Sequence, residues 1–414
     1  MVRRRHLIAV VVIFLIAVAV VGCGGGTGDI DKSGGERVTA TNEETTAPEG
    51  ARSMSKTKQG PASLDAVVVS PDHAYQPVGF GEGSLWVAHI PTCNDTAPPS
   101  SSASASGVAS ASSYSVSSVD GSVAVSLASC ALPANMLLKR LDPQSGEKEA
   151  VIQLKGLSTN TVEGTFGAGS LWVCSGDWTA AADVVLRVDP ETNRVVDRIS
   201  VDSPTGLAFG HGSVWATSAG HGTVSRIDPQ TDEVVAKIEV GRGAVDIAAD
   251  EHSGDVWVAG LYLPEDYSGD FSQEDSEYNK LSRVDPETNQ VVAEIPIVAN
   301  SLEGGAQSVA VGEGAVWTQS GDGRLFKVDL ANNEVVGVVP LGETSSDLEV
   351  SGDAVWATVQ TSSGTRLVRV DPRTVHVVAS EHGPEPNKGG YGGLVAGGGY
   401  VWLTSGGGLA RVAP

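Results

Sequence analysis

Three acidic residues are the first candidates for chemistry in this 414-residue chain. Glu163, Asp246 and Asp347 each begin a short segment that leads through a glycine-containing turn to a tryptophan. Aligning all such segments places the three acids at a position that is held elsewhere by Pro77, Gly206, Ser308 and Gly393. If the fold turns this position toward one axis, the carboxylates could bind a hard cation such as Ca²⁺ or Mg²⁺, which prefers several oxygen ligands. The alternative is that they are solvated and repel one another.

Other polar residues are weaker candidates for ligand contacts. Asp177 and Trp178 in "SGDWTAAAD", His221 in "SAGHG", Arg242 in "GRGAVD" and Tyr391 in "NKGGYGG" could line a pocket on the same side of the molecule. Spacing alone assembles no Ser/His/Asp or Cys/His set, because strand ends from different units meet only in three dimensions. No catalytic residue is therefore assigned.

The four cysteines divide by position. Cys23 follows an apolar segment, whereas Cys93 and Cys130 bracket a Ser/Ala-rich insertion and are expected to form a disulfide outside the cytoplasm. The alternative is that both are reduced. Cys174 lies beside Trp172 and is interpreted as a small buried apolar residue.

One sequence motif recurs along the chain, and its copies indicate which strands and turns hold these candidate residues in place. "VLRVDPETNRVVDRISV", "VSRIDPQTDEVVAKIEV" and "LSRVDPETNQVVAEIPI" are copies of it, and each follows a glycine turn and a tryptophan, as in "AFGHGSVWATSAG". Seven copies carry these tryptophans: Trp86, Trp172, Trp215, Trp257, Trp317, Trp356 and Trp402. Seven repeats of four β-branched-rich runs predict a seven-bladed β-propeller with four-stranded antiparallel blades. The tryptophans are expected to pack between neighbouring blades.

The two ends of the repeat region complement each other. The last copy stops at "LARVAP", one strand short, while the run "LDAVVVSP" at 64–71 precedes the first copy and resembles a fourth strand. Pairing residues 64–71 with residues 409–413 would close the ring and remove exposed sheet edges. The predicted propeller therefore spans 64–414, with insertions at 91–136 and 261–280.

The residues before the propeller predict its location. Residues 1–22 have a basic start and an apolar run, and "VVGC" ends at Cys23. This is the pattern of a lipoprotein signal peptide, with Cys23 acylated, and an uncleaved anchor is the alternative. Residues 23–63, poor in large apolar side chains, are typical of a flexible tether. We expect a protein attached by lipid to the extracytoplasmic face of the cell membrane.

The composition bears on partners. The formal net charge is −23 and the sequence pI about 4.6. A chain this acidic is repelled by phosphate backbones, which disfavours nucleic acid as a partner. No cofactor is needed for folding, since valine and alanine supply a core.

The repeat "VWATSAGHGTVSRIDPQTDEVVAKIEVG" resembles that of YVTN-type surface propellers, and residues 64–414 resemble the streptogramin B lyase-like (virginiamycin B lyase-like) group. The resemblance implies the propeller fold. Where the lyases have Trp-Phe-Thr-Glu in a blade, this chain has other residues in place of the glutamate, so the family's catalytic residues are not assigned here.

Two functions remain open on the sequence. The favoured one is a ligand- or protein-binding scaffold at the cell envelope, with an envelope protein or a glycan as its ligand. The alternative is a lyase or lactonase-like enzyme that uses a divalent cation in the channel mouth. Fold alone does not decide between them.

Overall fold

The structure, a computed structural model, describes fourteen segments of the chain: 66–70, 75–89, 114–119, 122–127, 136–157, 162–175, 182–250, 254–261, 279–297, 305–342, 345–361, 364–382, 393–405 and 408–414. Contacts divide the chain into the units Met1–Lys58 and Gln59–Pro414, and all described residues belong to the second. These residues contain strands and no helix, and they form seven four-stranded antiparallel sheets and one two-stranded sheet. The predicted seven-bladed β-propeller is confirmed.

The first four blades each use four consecutive strands, apart from a hairpin inserted in blade 1. Blade 1 is β2 (Tyr75–Gly81), β3 (Ser84–His89), β6 (Met136–Leu141) and β7 (Lys148–Leu154). Blade 2 is β8 (Val162–Gly167), β9 (Ser170–Ser175), β10 (Val184–Asp189) and β11 (Arg194–Ser200). Blade 3 is β12 (Gly206–Gly210), β13 (Ser213–Ser218), β14 (Thr223–Asp228) and β15 (Glu233–Glu239). Blade 4 is β16 (Ala244–Asp250), β17 (Asp255–Gly260), β18 (Lys280–Asp285) and β19 (Gln290–Pro296).

The last three blades complete the ring. Blade 5 is β20 (Ala306–Gly312), β21 (Ala315–Ser320), β22 (Arg324–Asp329) and β23 (Val335–Pro340). Blade 6 is β24 (Ser345–Ser351), β25 (Ala354–Thr361), β26 (Gly364–Asp371) and β27 (His376–His382). Blade 7 is β28 (Leu394–Gly397), β29 (Tyr400–Ser405), β30 (Gly408–Val412) and β1 (Ala66–Ser70). The inserted hairpin is β4 (Tyr114–Val119) with β5 (Ser122–Leu127).

Ring closure follows the predicted scheme. β1 pairs antiparallel with β30, with Ala66 opposite Val412 and Val68 opposite Ala410. Blade 7 therefore takes three strands, β28 to β30, from the C-terminal end of the repeat region. Its outermost strand, β1, comes from the N-terminal end. The pairing replaces two open sheet edges with hydrogen-bonded backbone.

Short turns of fixed chemistry connect the strands at one face of the ring. Between the first and second strands, pairs such as Ala168 and Gly169 have φ of 50° and 70°, the left-handed values that a tight two-residue hairpin requires. Between the third and fourth strands, the aspartate of the Asp-Pro turn caps its own turn. Asp142 Oδ1 accepts hydrogen bonds from the backbone N–H of Gln144 at 3.0 Å and of Ser145 at 2.6 Å. The sequence predicts this turn, because an aspartate followed by a proline can accept local backbone hydrogen bonds while the proline presets φ at the next position, and the structure confirms it.

The tryptophans form the core between blades, as the sequence predicts. All seven repeat tryptophans are fully buried. Trp172, for example, packs with Val185 of its own blade against Val214 and Ala216 of blade 3, and its Nε1 donates a hydrogen bond to the carbonyl of Gly167 at 3.1 Å. Burial of seven large aromatic side chains makes the blade interfaces the main source of apolar stabilisation.

A basic residue on the third strand acts as a clamp and bonds six of the seven blades to the next one. The guanidinium of Arg226 lies 4.9 Å from the centroid of the Trp215 ring, and its Nη1 donates to the carbonyl of Pro286 and, at 3.0 Å, to Oδ1 of Asn289 in blade 4. Equivalent contacts to the next turn carbonyl are made by Arg140, Arg187, Arg283, Lys327 and Arg411. The sequence predicts blade-to-blade contacts for both this basic residue and the nearby aspartate. That is right for the base and wrong for the aspartate, because its carboxylate is occupied by its own turn.

The clamp is missing at one interface. Arg369 in blade 6 would have to reach a turn between the third and fourth strands of blade 7, but the fourth strand of that blade is β1, so no hairpin turn connects it to β30. Within the described residues Arg369 bonds instead to Asp353 of its own blade, Nη2 to Oδ1, at 2.7 Å. The interface between blades 6 and 7 therefore lacks one of the polar links that the others have.

Several predictions fall outside the described residues. They are the signal peptide at 1–22, the tether at 23–63, acylation of Cys23, and the Cys93–Cys130 disulfide. Among the residues that are described, no helix is long and apolar enough to cross a membrane. The first insertion holds the β4–β5 hairpin, which its Ser/Ala-rich composition does not predict. Cys174 is buried and forms no disulfide, as expected.

Candidate functional site

A central cavity runs along the axis of the ring. The first strands of neighbouring blades contact one another in a circle, and each is an end strand of its sheet, so one backbone edge of each faces inward. The cavity they enclose has a volume of about 360 Å³ and is lined by first-strand residues of blades 2 to 7. This volume lies within the range of small-molecule sites.

The three acids singled out in the sequence meet in this cavity. Glu163, Asp246 and Asp347 all line it, on blades 2, 4 and 6. Strand pairing shows that the positions of Glu163, Asp246 and Ser308 are equivalent, since they lie opposite Cys174, Ala259 and Gln319, each of which is two residues after its tryptophan. Asp347 lies in an irregular stretch of β24, between the pairs Ser345–Val359 and Leu348–Ala357. The alignment from sequence was therefore sufficient to place these carboxyl groups together.

Asp246 has a structural task that the other acids lack. Its Oδ1 accepts a hydrogen bond from the backbone N–H of Ile247, and its Oδ2 accepts one from Val309 on β20, both at 2.8 Å. It thereby ties the first strands of blades 4 and 5 together. Burial raises the pKa of Asp246 to about 6, and the two backbone N–H groups oppose that rise.

The carboxyls of Glu163, Asp347 and Glu349 have no basic partner among the residues that the structure describes. Within the described residues, nothing donates a hydrogen bond to them and no basic side chain lines the cavity. Burial, then the charge of Asp246, raises the pKa of Asp347 and of Glu349 to about 8. Burial, then the charges of Asp347 and Asp246, raises the pKa of Glu163 well above its usual value. These side chains keep some accessible surface, but it faces the narrow cavity, so they are still poorly hydrated.

Glu349 is the cavity residue that sequence reasoning missed. It lies opposite Trp356, where the other blades have residues with small or uncharged side chains: Gly79, Thr165, Ala208, Ala248, Ala310 and Val395. The signal was present in the sequence, because a charged residue is unusual at this mid-strand position. It was hidden because only the first position of each strand was compared.

The arrangement does not fit a single metal ion. Among the described residues, no group of three His, Cys, Asp or Glu side chains is placed to hold one. The four carboxyls come from three blades, and Asp347 and Glu349 are about 7 Å apart along their strand. The Ca²⁺ or Mg²⁺ site predicted from Glu163, Asp246 and Asp347 stays a prediction that this geometry does not favour.

Two further sequence candidates lie beside the cavity and do not line it. His221 is exposed in the turn after β13, with its Nδ1 3.1 Å from Oγ of Ser218. Arg242 is exposed in the connection from β15 to β16. The two turns touch, since Gly241 N–H donates to the carbonyl of Gly222 at 3.1 Å. The remaining candidates, Asp177, Trp178 and Tyr391, lie outside the described residues.

No protein-family model matches the chain, and no curated protein matches it. Among solved structures it is similar to hydrazine synthase from Kuenenia stuttgartiensis, with a TM-score of 0.45 and 17% identity. That similarity covers 57% of this chain and 70% of the other. Nothing about function is taken from it.

Proposed function

We propose that this protein is a binding or scaffolding propeller, tethered by lipid on Cys23 to the extracytoplasmic face of the cell membrane. The observation that carries the binding role is the central cavity, where several carboxyl groups without a basic partner in the described lining are held on a closed ring. A rigid scaffold with a preformed polar cavity suits recognition, because little conformational entropy is lost on binding.

The two faces of the ring differ in a way that supports this role. Antiparallel strands alternate in direction, so connections after second and fourth strands leave at one face, which we call the insertion face. The long connections 90–135, 261–279 and 383–393 are all there, whereas the opposite face has only short turns. Glu163, Asp246 and Asp347 lie near the insertion-face ends of their strands. The blades therefore differ most in the length of their connections at the face where the cavity acids lie. Variable loops on a constant scaffold are typical of a ligand-binding face.

The envelope location rests on sequence alone. The apolar run, the "VVGC" pattern and the polar residues 23–63 support a lipid anchor followed by a tether. An envelope protein or a glycan is the proposed ligand at the insertion face. The acidic net charge of −23 argues against nucleic acid.

The alternative function, a divalent-cation-dependent lyase or lactonase-like enzyme, has one supporting observation: acids from alternate blades share the cavity. It is disfavoured because the donor groups are too dispersed for one ion. In addition, the described cavity lining offers no histidine, cysteine or lysine as a base or nucleophile.

A thermal-shift experiment separates the two functions. The full-length protein in detergent is melted with and without millimolar Ca²⁺, Mg²⁺ or Mn²⁺, next to a Glu163→Gln/Asp347→Asn variant and a Glu233→Gln control at an exposed position of β15. The binding role predicts the same metal response in all three proteins. A stabilisation by one cation that only the double variant loses would overturn it in favour of the cation-dependent enzyme.

A further inference from the structure

The cavity carboxyls form an unusual electrostatic arrangement. Glu163, Asp246, Asp347 and Glu349 line one cavity. Burial is the main reason that the pKa of Glu163, Asp347 and Glu349 is raised, and the charges of the neighbouring acids raise it further, those of Asp347 and Asp246 for Glu163 and that of Asp246 for the other two. Folded proteins usually offset such repulsion with a basic side chain, and the described lining contains none. A cation bound in the cavity would supply the missing positive charge.

A second observation, independent of the acids, also indicates a ligand. Ser308 occupies the position equivalent to Glu163 and Asp246, lines the cavity, and is only 5% exposed. Within the described part of the chain, its Oγ has no hydrogen-bond partner, and neither amide atom of the fully buried Gln319 opposite it has one. Buried side-chain polar atoms are almost always hydrogen-bonded. The unpartnered hydroxyl beside the acids is therefore an available contact for a bound molecule.

Size and charge spacing distinguish an organic cation from a metal ion. A cavity of about 360 Å³ is far larger than one ion needs. Asp347 and Glu349, two residues apart on β24, are spaced about 7 Å apart along the strand backbone, a spacing similar to that of the two nitrogens in an extended four-carbon diamine. Each ammonium group has three N–H donors, and the inward backbone edges of the first strands offer carbonyl acceptors beside the carboxylates.

We propose that the central cavity binds a small organic cation with two amino groups, held by the carboxylates of Glu163, Asp347 and Glu349 and by the hydroxyl of Ser308. This inference rests on the proposed binding function and names the ligand class of the same cavity. In that complex Asp246 stays bonded to the backbone of blades 4 and 5 and contributes its charge from there.

The test is calorimetric titration of the full-length protein in detergent with 1,4-diaminobutane. Butylamine, succinate and MgCl₂ are titrated in parallel to vary the charge. The variants are Glu349→Gln, Ser308→Ala and the control Glu233→Gln, and the melting transition of each checks that it is folded.

The diamine is expected to bind wild type and Glu233→Gln equally, more tightly than butylamine does, and succinate is not expected to bind. Glu349→Gln should weaken diamine binding about tenfold or more, equivalent to about 1.4 kcal/mol, and Ser308→Ala should weaken it by a smaller factor. Absence of diamine binding to folded wild type at millimolar concentration overturns the proposal, as does equal binding to Glu349→Gln.

The experiments can reject the proposed ligand class without rejecting the proposed binding function. If the diamine fails to bind while the divalent-cation responses of all proteins remain equal, the ligand class is wrong and the binding function stands. If Mg²⁺ binds and the diamine does not, and Glu163→Gln/Asp347→Asn loses the Mg²⁺ signal, both fail together.

Discussion

At the scale of single residues, the cavity shows how environment gives one functional group two behaviours. Asp246 and Asp347 both line the cavity, yet their pKa values are raised to about 6 and about 8. Two backbone N–H groups stabilise the ionised form of Asp246, whereas the charge of Asp246 raises the pKa of Asp347 beyond the effect of burial. Asp246 is thus the acid suited to staying charged at neutral pH, while its neighbours respond to what enters the cavity.

Glu349→Gln should change how stability depends on pH. The pKa of Glu349 rises from 4.5 to about 8 on folding, so between these values the folded state binds more protons than the unfolded state. The free energy of unfolding therefore falls as pH rises through this window. The variant removes that contribution and should be more stable than wild type near pH 8 by roughly 1–3 kcal/mol, with little difference near pH 4. Urea unfolding at both pH values measures this, and a variant that is less stable near pH 8 would contradict it.

Asp246→Asn should have the opposite sign. An asparagine keeps one acceptor oxygen, but its amide nitrogen would then face the backbone N–H of Ile247 or Val309. Losing one charge-assisted bond and burying an unpaired donor should cost about 1–3 kcal/mol. The same urea experiment near neutral pH checks the prediction, with Glu233→Gln as the control. Equal stability of Asp246→Asn and the control would show that the link between blades 4 and 5 contributes little.

At the scale of elements, six of the seven blade interfaces combine a buried tryptophan with a basic side chain that bonds to a turn of the next blade. The bridge works because the Asp-Pro turn presents a carbonyl at the same place in successive blades. Where blade 7 lacks that turn, Arg369 retains its position over Trp356, at 5.6 Å, without the bridge. The chain therefore contains its own comparison between a clamped and an unclamped interface.

Arg226→Ala should be more destabilising than Arg369→Ala. Both variants lose a cation–aromatic contact, but only Arg226 also loses bonds to the Pro286 carbonyl and Asn289 of the next blade. We expect a difference of about 1–3 kcal/mol, since the Arg369 pair with the exposed Asp353 contributes little. Denaturant unfolding of both variants measures it, and equal losses would mean that the clamp does not stabilise the interface.

Deleting residues 64–71 should weaken the ring at blade 7. β30 would lose its partner β1 and expose the backbone groups that now pair from Ala66 to Ser70. The deleted protein should melt at a lower temperature and aggregate more readily than the full chain. A deletion of equal length at 49–56, before the propeller, is the control. If both deletions leave the melting temperature unchanged, the closing strand does not contribute to stability.

At the scale of the whole molecule, the fold could be predicted because the sequence repeats. Features that occur in only one repeat could not be predicted in the same way. Identical turn chemistry in successive units fixed the strands, and the complementary ends at 64–71 and 409–413 indicated closure. Equivalent positions then placed three acids together. Glu349 and the β4–β5 hairpin were missed because each occurs in one unit only. Arg369 lacks a bond to the next blade because β1 supplies the fourth strand of blade 7 and no turn connects it to β30. This is visible only in the closed ring.

Cys23→Ser should abolish attachment of lipid. The thiol is the acylated group in the proposed lipoprotein, and serine cannot form the thioether that anchors the diacylglycerol. Metabolic labelling with a fatty acid in a bacterial host should mark the wild-type chain and leave the variant unlabelled, while Cys174→Ser, at the buried thiol, stays labelled. Equal labelling of wild type and Cys23→Ser would contradict the assignment and favour an uncleaved anchor.

The pairing of β1 with β30 also sets the order in which the molecule can be made. The strand that leaves the ribosome first must wait for the strand that leaves last, because Ala66 and Val412 are partners. Blades 1 to 6 can form one after another during synthesis, but blade 7 cannot be completed until the final residues have emerged. Until then β1 is an apolar strand, "AVVVS", without its partner. The slowest step of folding should therefore be the last one, and this interval is when the nascent protein most needs protection from aggregation.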